Sequence, residues 1–424
     1  IQQRGLLQRC GSLFETYNIA HSEVKNMKAV IDLTKEYGLV LEGGGAKGAY
    51  QIGAWKALKE AGVKLKGIAG TSVGALNGAL ICMGDLEKAE RLWENISYSK
   101  IMSVDDGVMG EIFKHKKISR ETLKELMDYM ADGGVDISPL KQLIAESVDE
   151  EKIRNSPIDL YVLTFNVDEF RELDIDIKET EPELIKDFLL ASAYIFPIFK
   201  NEKLHGKTYI DGGAINNVPL GSLVDRGYED IIVVRIFGIG REKKVKIPEG
   251  THVYTVAPSV SLGSILDFNQ KKSRMHMTRG YFDTMRMVYG LSGKIYYIDE
   301  QEEECYYLKQ LTEVNQDIYE YCMETYKLNA EPEQYVRKLT EIVLPVLAEE
   351  LQLARDWNYK ELYLSMLEAT ARICRIRKYK IYTLQELQKK VREKLWEMET
   401  DELPAFSQII SKEKLIQGGK TYEP

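Results

Sequence analysis

The sequence predicts an α/β fold built on a mostly parallel sheet, followed by a helical C-terminal extension. Three observations carry this reading. Two strand-loop-helix units stand in succession, one from Tyr37 to Ala61 and one from Leu65 to Met83, which is how a parallel sheet begins. Ile231 to Ile236 is rich in Ile and Val, as central parallel strands buried on both faces are. After about Tyr297 glycine nearly disappears and the texture becomes charged and rich in Leu and Tyr. The expected organisation is a leader over 1–36, an α/β domain over 37–300 and a helical domain over 301–424.

Taken in order, Tyr37 to Leu41 is a short strand running into the glycine loop Glu42-Gly43-Gly44-Gly45-Ala46-Lys47-Gly48. A helix follows to Ala61, with Ile52, Trp55 and Leu58 on one face and Gly62 as its stop. The second strand, Leu65 to Ala69, meets the pentad Gly70-Thr71-Ser72-Val73-Gly74, and a helix then runs from Ala75 to Met83. Further helices are expected over Leu86–Asn95 and Ser119–Met130, with an irregular, lid-like stretch over Ser97–Lys117 between them. Ile158–Asn166 and Phe170–Ile177 read as strands. Pro182 suits the first turn of a helix reaching Ala193. Lys207–Ile210 is a short strand ending in Asp211-Gly212-Gly213. In the extension, Leu384, Leu387, Val391, Leu395 and Met398 make one helical stripe, with Thr383 and Glu386 as a capping box. Such a stripe reads first as core and second as a partner-binding seam.

Composition narrows the class. With 44% hydrophobic and 29% charged residues in 424, the chain has the make-up of a globular protein. No apolar run approaches the roughly 20 residues of a membrane span. A net charge of -9 argues against broad attraction to nucleic acid. Five scattered cysteines, Cys10, Cys82, Cys305, Cys322 and Cys374, fit neither a disulfide framework nor a metal site. No cofactor is expected. Because the chain begins at Ile1, an upstream segment or removed signal stays open; cytoplasmic residence is the default expectation, with peripheral membrane contact possible and secretion open.

The chemistry centres on Ser72. A serine between glycines two residues before and after it, at a strand-to-helix join, is presented as an exposed hydroxyl at a helix N-terminus. Such a hydroxyl needs a base and preorganised donors for an oxyanion. The backbone N–H groups of Gly43, Gly44 and Gly45 offer the donors. The loop lacks the Gly-Lys-Ser/Thr ending of a P-loop, which sets nucleotide binding aside. For the base there are two options. His252 and His276 follow Asp211 in the Ser, Asp, His order of a triad, but neither has a supporting motif. Asp211 ends a strand, precedes two glycines, and carries a carboxylate of ordinary pKa near 3.9 that is ionised at neutral pH. A simple Asp-Gly-Gly turn is its bland alternative.

Gly-Gly-Gly-x-Lys-Gly, Gly-x-Ser-x-Gly and Asp-Gly-Gly in this order resemble the patatin-like phospholipase family of lipid acyl hydrolases. The likeness extends to Ala191-Ser192-Ala193, Phe196-Pro197, Asn216 and Pro219, and covers roughly Tyr37 to Ile236. It implies a parallel sheet sandwiched by helices and a Ser-Asp dyad without a catalytic histidine. By motif position, Ser72 is then the nucleophile, Asp211 the base, and Gly43, Gly44 and Gly45 the oxyanion hole. Lys47, Gly48, Gly70, Gly74, Gly212 and Gly213 support them, Lys47 standing where the family often has arginine. The resemblance implies an acyl-enzyme route on phospholipid or other acyl-lipid esters, with no metal.

A different class of reading is a regulated or non-catalytic lipid-binding protein, with a protein partner or a second copy held by the C-terminal helices. The basic, apolar-interleaved run Arg372 to Lys380 is a candidate membrane contact whose plainer reading is a solvated helix face. Arg241-Glu242-Lys243-Lys244 reads as a loop.

Overall fold

The computed structural model describes residues 27–114, 134–200, 202–398 and 403–411. The helix expected over Ser119–Met130, His21 and His115, and residues 1–26 of the leader lie outside the described residues. The chain divides into two compact units, one reaching Tyr289 and one from Gly290 onward.

The first unit is built on a seven-stranded sheet. Its strands are β1 (Glu36–Leu41), β2 (Lys64–Thr71), β3 (Asp159–Asn166), β4 (Arg171–Asp176), β5 (Tyr209–Asp211), β6 (Asp230–Val234) and β7 (His252–Val256). They lie in the order β4-β3-β2-β1-β6-β7, with β5 also on β3. Neighbours from β3 to β7 along that order run parallel, and only β4 and β5 are antiparallel to β3. The central strands are buried along nearly their whole length, which is why they read as apolar runs without polar alternation.

Alternation along β1 and β2 divides two apolar layers. Val40 and Ala69 join Leu223 of the short helix Leu220–Val224 on one face. On the other face, helix α2 (Val73–Cys82), which follows helix α1 (Ala49–Glu60) in the chain, lies so close to Ile68 and Leu160 that a Cβ on Gly78 would be 3.2 and 2.8 Å from them. Helices therefore cover both faces. β1 lies between β2 and β6, so the chain leaves its C-terminal end in one direction and returns on the other side. That is the switch point at which parallel sheets open a crevice.

Two differences from the sequence expectation bear on the site. The stretch 97–117 is not simply irregular, because Asp106–Lys114 is a helix started by Asp105 Oδ1 accepting Val108 N at 2.9 Å. Ser138–Ser147 is a helix that weak periodicity concealed; Leu140 and Ile144 are buried.

In the second unit, helix Leu384–Glu397 starts with Thr383 Oγ1 accepting Glu386 N at 3.1 Å. Leu384, Leu387, Val391 and Leu395 enter the core, while Met398 lies past the helix end and is exposed. Among the described residues this unit is helical apart from one short parallel pair, Tyr297–Asp299 with Ile381–Thr383. The basic run 372–380 is not a helix face. It ends helix Tyr359–Ile373, turns at Arg375 (φ 53°), and buries Cys374 and part of Ile376 in the core.

Candidate active site

Ser72 is the single residue between β2 and α2. Its backbone stands at φ 55°, ψ -127°, a region that costs a residue with a side chain about 1–3 kcal/mol. Surrounding contacts hold it there. Ser72 N donates to Ser192 Oγ at 2.8 Å, and that hydroxyl donates to Leu163 O at 2.6 Å. Ser72 O accepts Ala75 N and Leu76 N at 2.9 and 3.2 Å. The flanking glycines are required by close approach: a Cβ on Gly70 would lie 2.5 Å from Gly74 O, and one on Gly74 2.2 Å from Leu41 O. The N-terminal dipole of α2 is aimed at the serine.

Asp211 arrives from the end of β5, opposite Thr164 of β3. Its backbone N donates to Tyr194 O at 2.8 Å, and its Oδ1 accepts Gly213 N at 2.7 Å. Gly212 and Gly213 form the tight turn that this carboxylate caps. Burial raises its pKa to about 6, opposed by the Ser72 hydroxyl and the Gly213 N–H. The sequence-based value near 3.9 is thereby corrected, because an exposed reference carboxylate keeps the hydration that this one loses. The Ser72 hydroxyl stands beside the carboxylate as its hydrogen-bonding neighbour.

Neither triad histidine accompanies the pair. His252 is largely exposed beside Asp230, at 3.5 Å. His276 is buried, and desolvation lowers its pKa to about 4, with Arg279 and Lys272 adding to the effect. His205 bonds Asp187 at 2.7 Å.

The glycine loop runs from the end of β1. Gly43 N already donates to Asn217 O at 3.1 Å, whereas Gly44 N and Gly45 N meet no acceptor among the described residues. Gly45 has φ 53°, and a Cβ there would lie 2.2 Å from Ile265 O. Gly48 packs on the elbow helix, 2.4 Å from Val73 Cγ2 by the same construction. Lys47 is buried and donates to Phe237 O at 2.5 Å; desolvation lowers its pKa. It braces the loop.

Sequence reasoning missed Glu42. This buried carboxylate accepts Ile236 N (2.7 Å), Phe237 N (3.0 Å), Gly238 N (3.1 Å), Asn217 Nδ2 (3.3 Å) and Arg235 Nε (3.0 Å). The available signal was a lone acid at the end of an apolar strand. Ser192 was likewise present in a motif without a physical role, and Asn217 is the neighbour of the motif residue Asn216. Asn217 Nδ2 also donates to Gly43 O at 3.0 Å, and Asn216 O accepts Thr71 Oγ1 at 3.1 Å. The segment after Asp211 thus joins the elbow to the glycine loop.

Ser72 and Gly45 line a cavity of about 80 Å³. Its walls are overwhelmingly apolar, including Leu76, Leu80, Ile96, Leu140, Ile144, Ile195 and Phe268. Among the described residues no group of three or more His, Cys, Asp or Glu is placed to hold a metal. No described helix is long and apolar enough to cross a membrane.

The family model for patatin-like phospholipases matches residues 39–224. A protein of Invertebrate iridescent virus 6 named "Probable lipid hydrolase 463L" is 31% identical over 195 residues, 43% of this chain and 61% of that protein. "Lysophospholipase nte1" of Aspergillus terreus is 59% identical over 46 residues, 11% of this chain and 3% of its own length. The chain thus matches less than two thirds of either relative. Among solved structures, VipD from Legionella pneumophila is 13% identical with a TM-score of 0.39, covering 89% of this chain and 84% of that one. Residues 39–224 therefore carry a domain that matches the patatin-like phospholipase family.

Proposed function

We propose that the protein hydrolyses fatty-acyl esters of phospholipids or related lipids, with Ser72 as nucleophile and Asp211 as its base. The observation that carries this reading is a strained serine beside a buried carboxylate at the mouth of an apolar cavity. An ester whose acyl chain fills the cavity has its carbonyl carbon at Ser72 Oγ. As Oγ attacks, its proton passes to Asp211 and the carbonyl electron pair moves onto oxygen. The N–H groups of Gly44 and Gly45 receive that oxyanion, while Gly43, bonded to Asn217 O, fixes the loop. Collapse breaks the ester C–O bond, and Asp211 returns the proton to the departing alcohol, leaving Ser72 acylated. Water then gives a proton to Asp211 and attacks the acyl carbon; the fatty acid leaves and the proton returns to Ser72.

The raised pKa suits this duty. A base near 6 is still ionised at neutral pH yet takes a proton more readily than one near 3.9. The test is incubation with mixed membrane lipids and mass spectrometry of the products. Wild type releases fatty acids and Ser72→Ala releases none above background; wild-type turnover by Ser72→Ala defeats the proposal.

A further inference from the structure

Beside the candidate site, a loop after β6 holds two large apolar side chains in water. Phe237 is 53% exposed and Ile239 78%. Phe196, next to the cavity-lining Ile195, is 69% exposed. The loop is firmly seated. Glu42 accepts the N–H groups of Phe237 and Gly238, and Lys47 Nζ donates to Phe237 O. Further on, Arg241 N donates to Gly213 O at 2.9 Å and Arg241 O accepts Asn217 N at 2.6 Å. A Cβ on Gly238 would lie 1.8 Å from Gly43 O, and one on Gly240 2.4 Å from Gly213 O. The apolar tip therefore rests directly on the loops that carry the candidate oxyanion donors and base.

Phe237 also adopts φ 48°, a conformation aromatic residues avoid. Two buried charged groups, Glu42 and Lys47, hold that strained backbone while its ring, with the Arg235 guanidinium 5.5 Å from its centroid, stays about half exposed. An exposed apolar patch maintained in this way marks a contact surface. The residues that follow say what kind. Arg241, Lys243, Lys244 and Lys246 are all exposed. Lys243 pairs with Glu172 at 2.5 Å and Glu242 with Arg235 at 2.9 Å, so Arg241, Lys244 and Lys246 have no anionic partner among the described residues. In a chain of net charge -9 this is a local reversal of sign.

We propose that the loop 237–246 docks the protein on an anionic lipid bilayer. Phe237 and Ile239 enter the interface while Arg241, Lys244 and Lys246 meet its phosphates, which brings the mouth at Ser72 to the lipid surface. The proposal rests on the lipid-ester reading of the site, since a substrate drawn from a bilayer needs the mouth at that surface.

The full chain is sedimented with vesicles of phosphatidylcholine alone and of phosphatidylcholine mixed with phosphatidylglycerol. Wild type favours the mixed vesicles and releases them in high salt. Ile239→Glu weakens vesicle affinity by about tenfold or more, and Lys244→Glu with Lys246→Glu by about tenfold. Both keep wild-type turnover of a soluble short-chain ester. Ser72→Ala binds vesicles as wild type does, so its hydrolysis tests the chemistry and its binding tests the loop separately. Unchanged affinity in Ile239→Glu, equal binding to both vesicle types, or a wild-type dimer that Ile239→Glu dissolves would each overturn the proposal.

Discussion

Two buried carboxylates stand at strand ends around the same crevice, and their surroundings differ. Glu42, after β1, accepts three backbone N–H groups, an amide and a guanidinium. Asp211, after β5, accepts one backbone N–H and has a serine hydroxyl for its other neighbour. The number of donors separates their duties. A carboxylate whose lone pairs are all engaged by donors is a strut. One left short of donors in a dry place keeps its affinity for a proton, which is what a base needs.

Replacing Asp211 by Asn puts the greatest strain on this comparison. Turnover of a soluble ester should fall by about 10²–10⁴-fold, the range for loss of a general base. Stability should move the other way. Below about pH 4 the carboxyl is protonated both folded and unfolded, given the reference value of 3.8 and the folded value of about 6. As pH rises through that window, the unfolded chain releases its proton first, so the folded protein loses up to about 3 kcal/mol of stability by neutral pH. Asp211→Asn lacks that loss and should melt higher than wild type at pH 7–8, with the difference vanishing near pH 4. In wild type, kcat/KM should rise with pH around 6. A flat profile, or a destabilised Asn variant at neutral pH, breaks the contrast.

Glu42→Gln tests the strut. It weakens several hydrogen bonds at once and leaves Glu242 as the remaining anionic partner of Arg235, a change that should cost about 2–4 kcal/mol in denaturant unfolding. Activity should fall with stability, but the pH–rate midpoint should stay near 6, because the titrating group is elsewhere. A midpoint that moves by a unit would make Glu42 part of the proton inventory.

Ser192→Ala is the mildest of the three. Ser72 N loses its acceptor and Leu163 O its donor, so the strained elbow is less well held. A drop in kcat of about tenfold with KM nearly unchanged is expected from misplacement of the nucleophile. An unaffected kcat would show that the glycine contacts alone fix Ser72.

How legible the molecule was depended on distance along the chain. The elbow is a local event: a short apolar strand, a serine between two glycines and an apolar helix specify it within about twenty residues of sequence. The stripe ending at Leu395 was legible for the same reason, since helical periodicity is written in neighbouring positions. Helix Ser138–Ser147 escaped because its apolar residues Leu140, Leu143 and Ile144 are too few to stand out, although they line the cavity. The basic run 372–380 misled in the opposite direction: its composition suggested an amphipathic surface, but packing turns Cys374 and Ile376 into the core.

The sequence by itself determined the α/β class, the ordered glycine, serine and aspartate motifs, and the strain that a strand-to-helix turn imposes on Ser72. Tertiary structure alone decided what each polar group does. Ser192 reaches Ser72 N from 120 positions away, and Glu42 meets the Ile236 N–H across 194. The pKa of Asp211 follows from how much water its neighbours exclude, and the cavity from helices that meet only after folding. Backbone conformation is governed by a residue and its immediate neighbours, whereas desolvation and hydrogen-bond satisfaction are properties of everything packed around a group. The motifs could therefore name the candidate residues, while only the fold could distinguish a carboxylate that braces from one left free to take a proton.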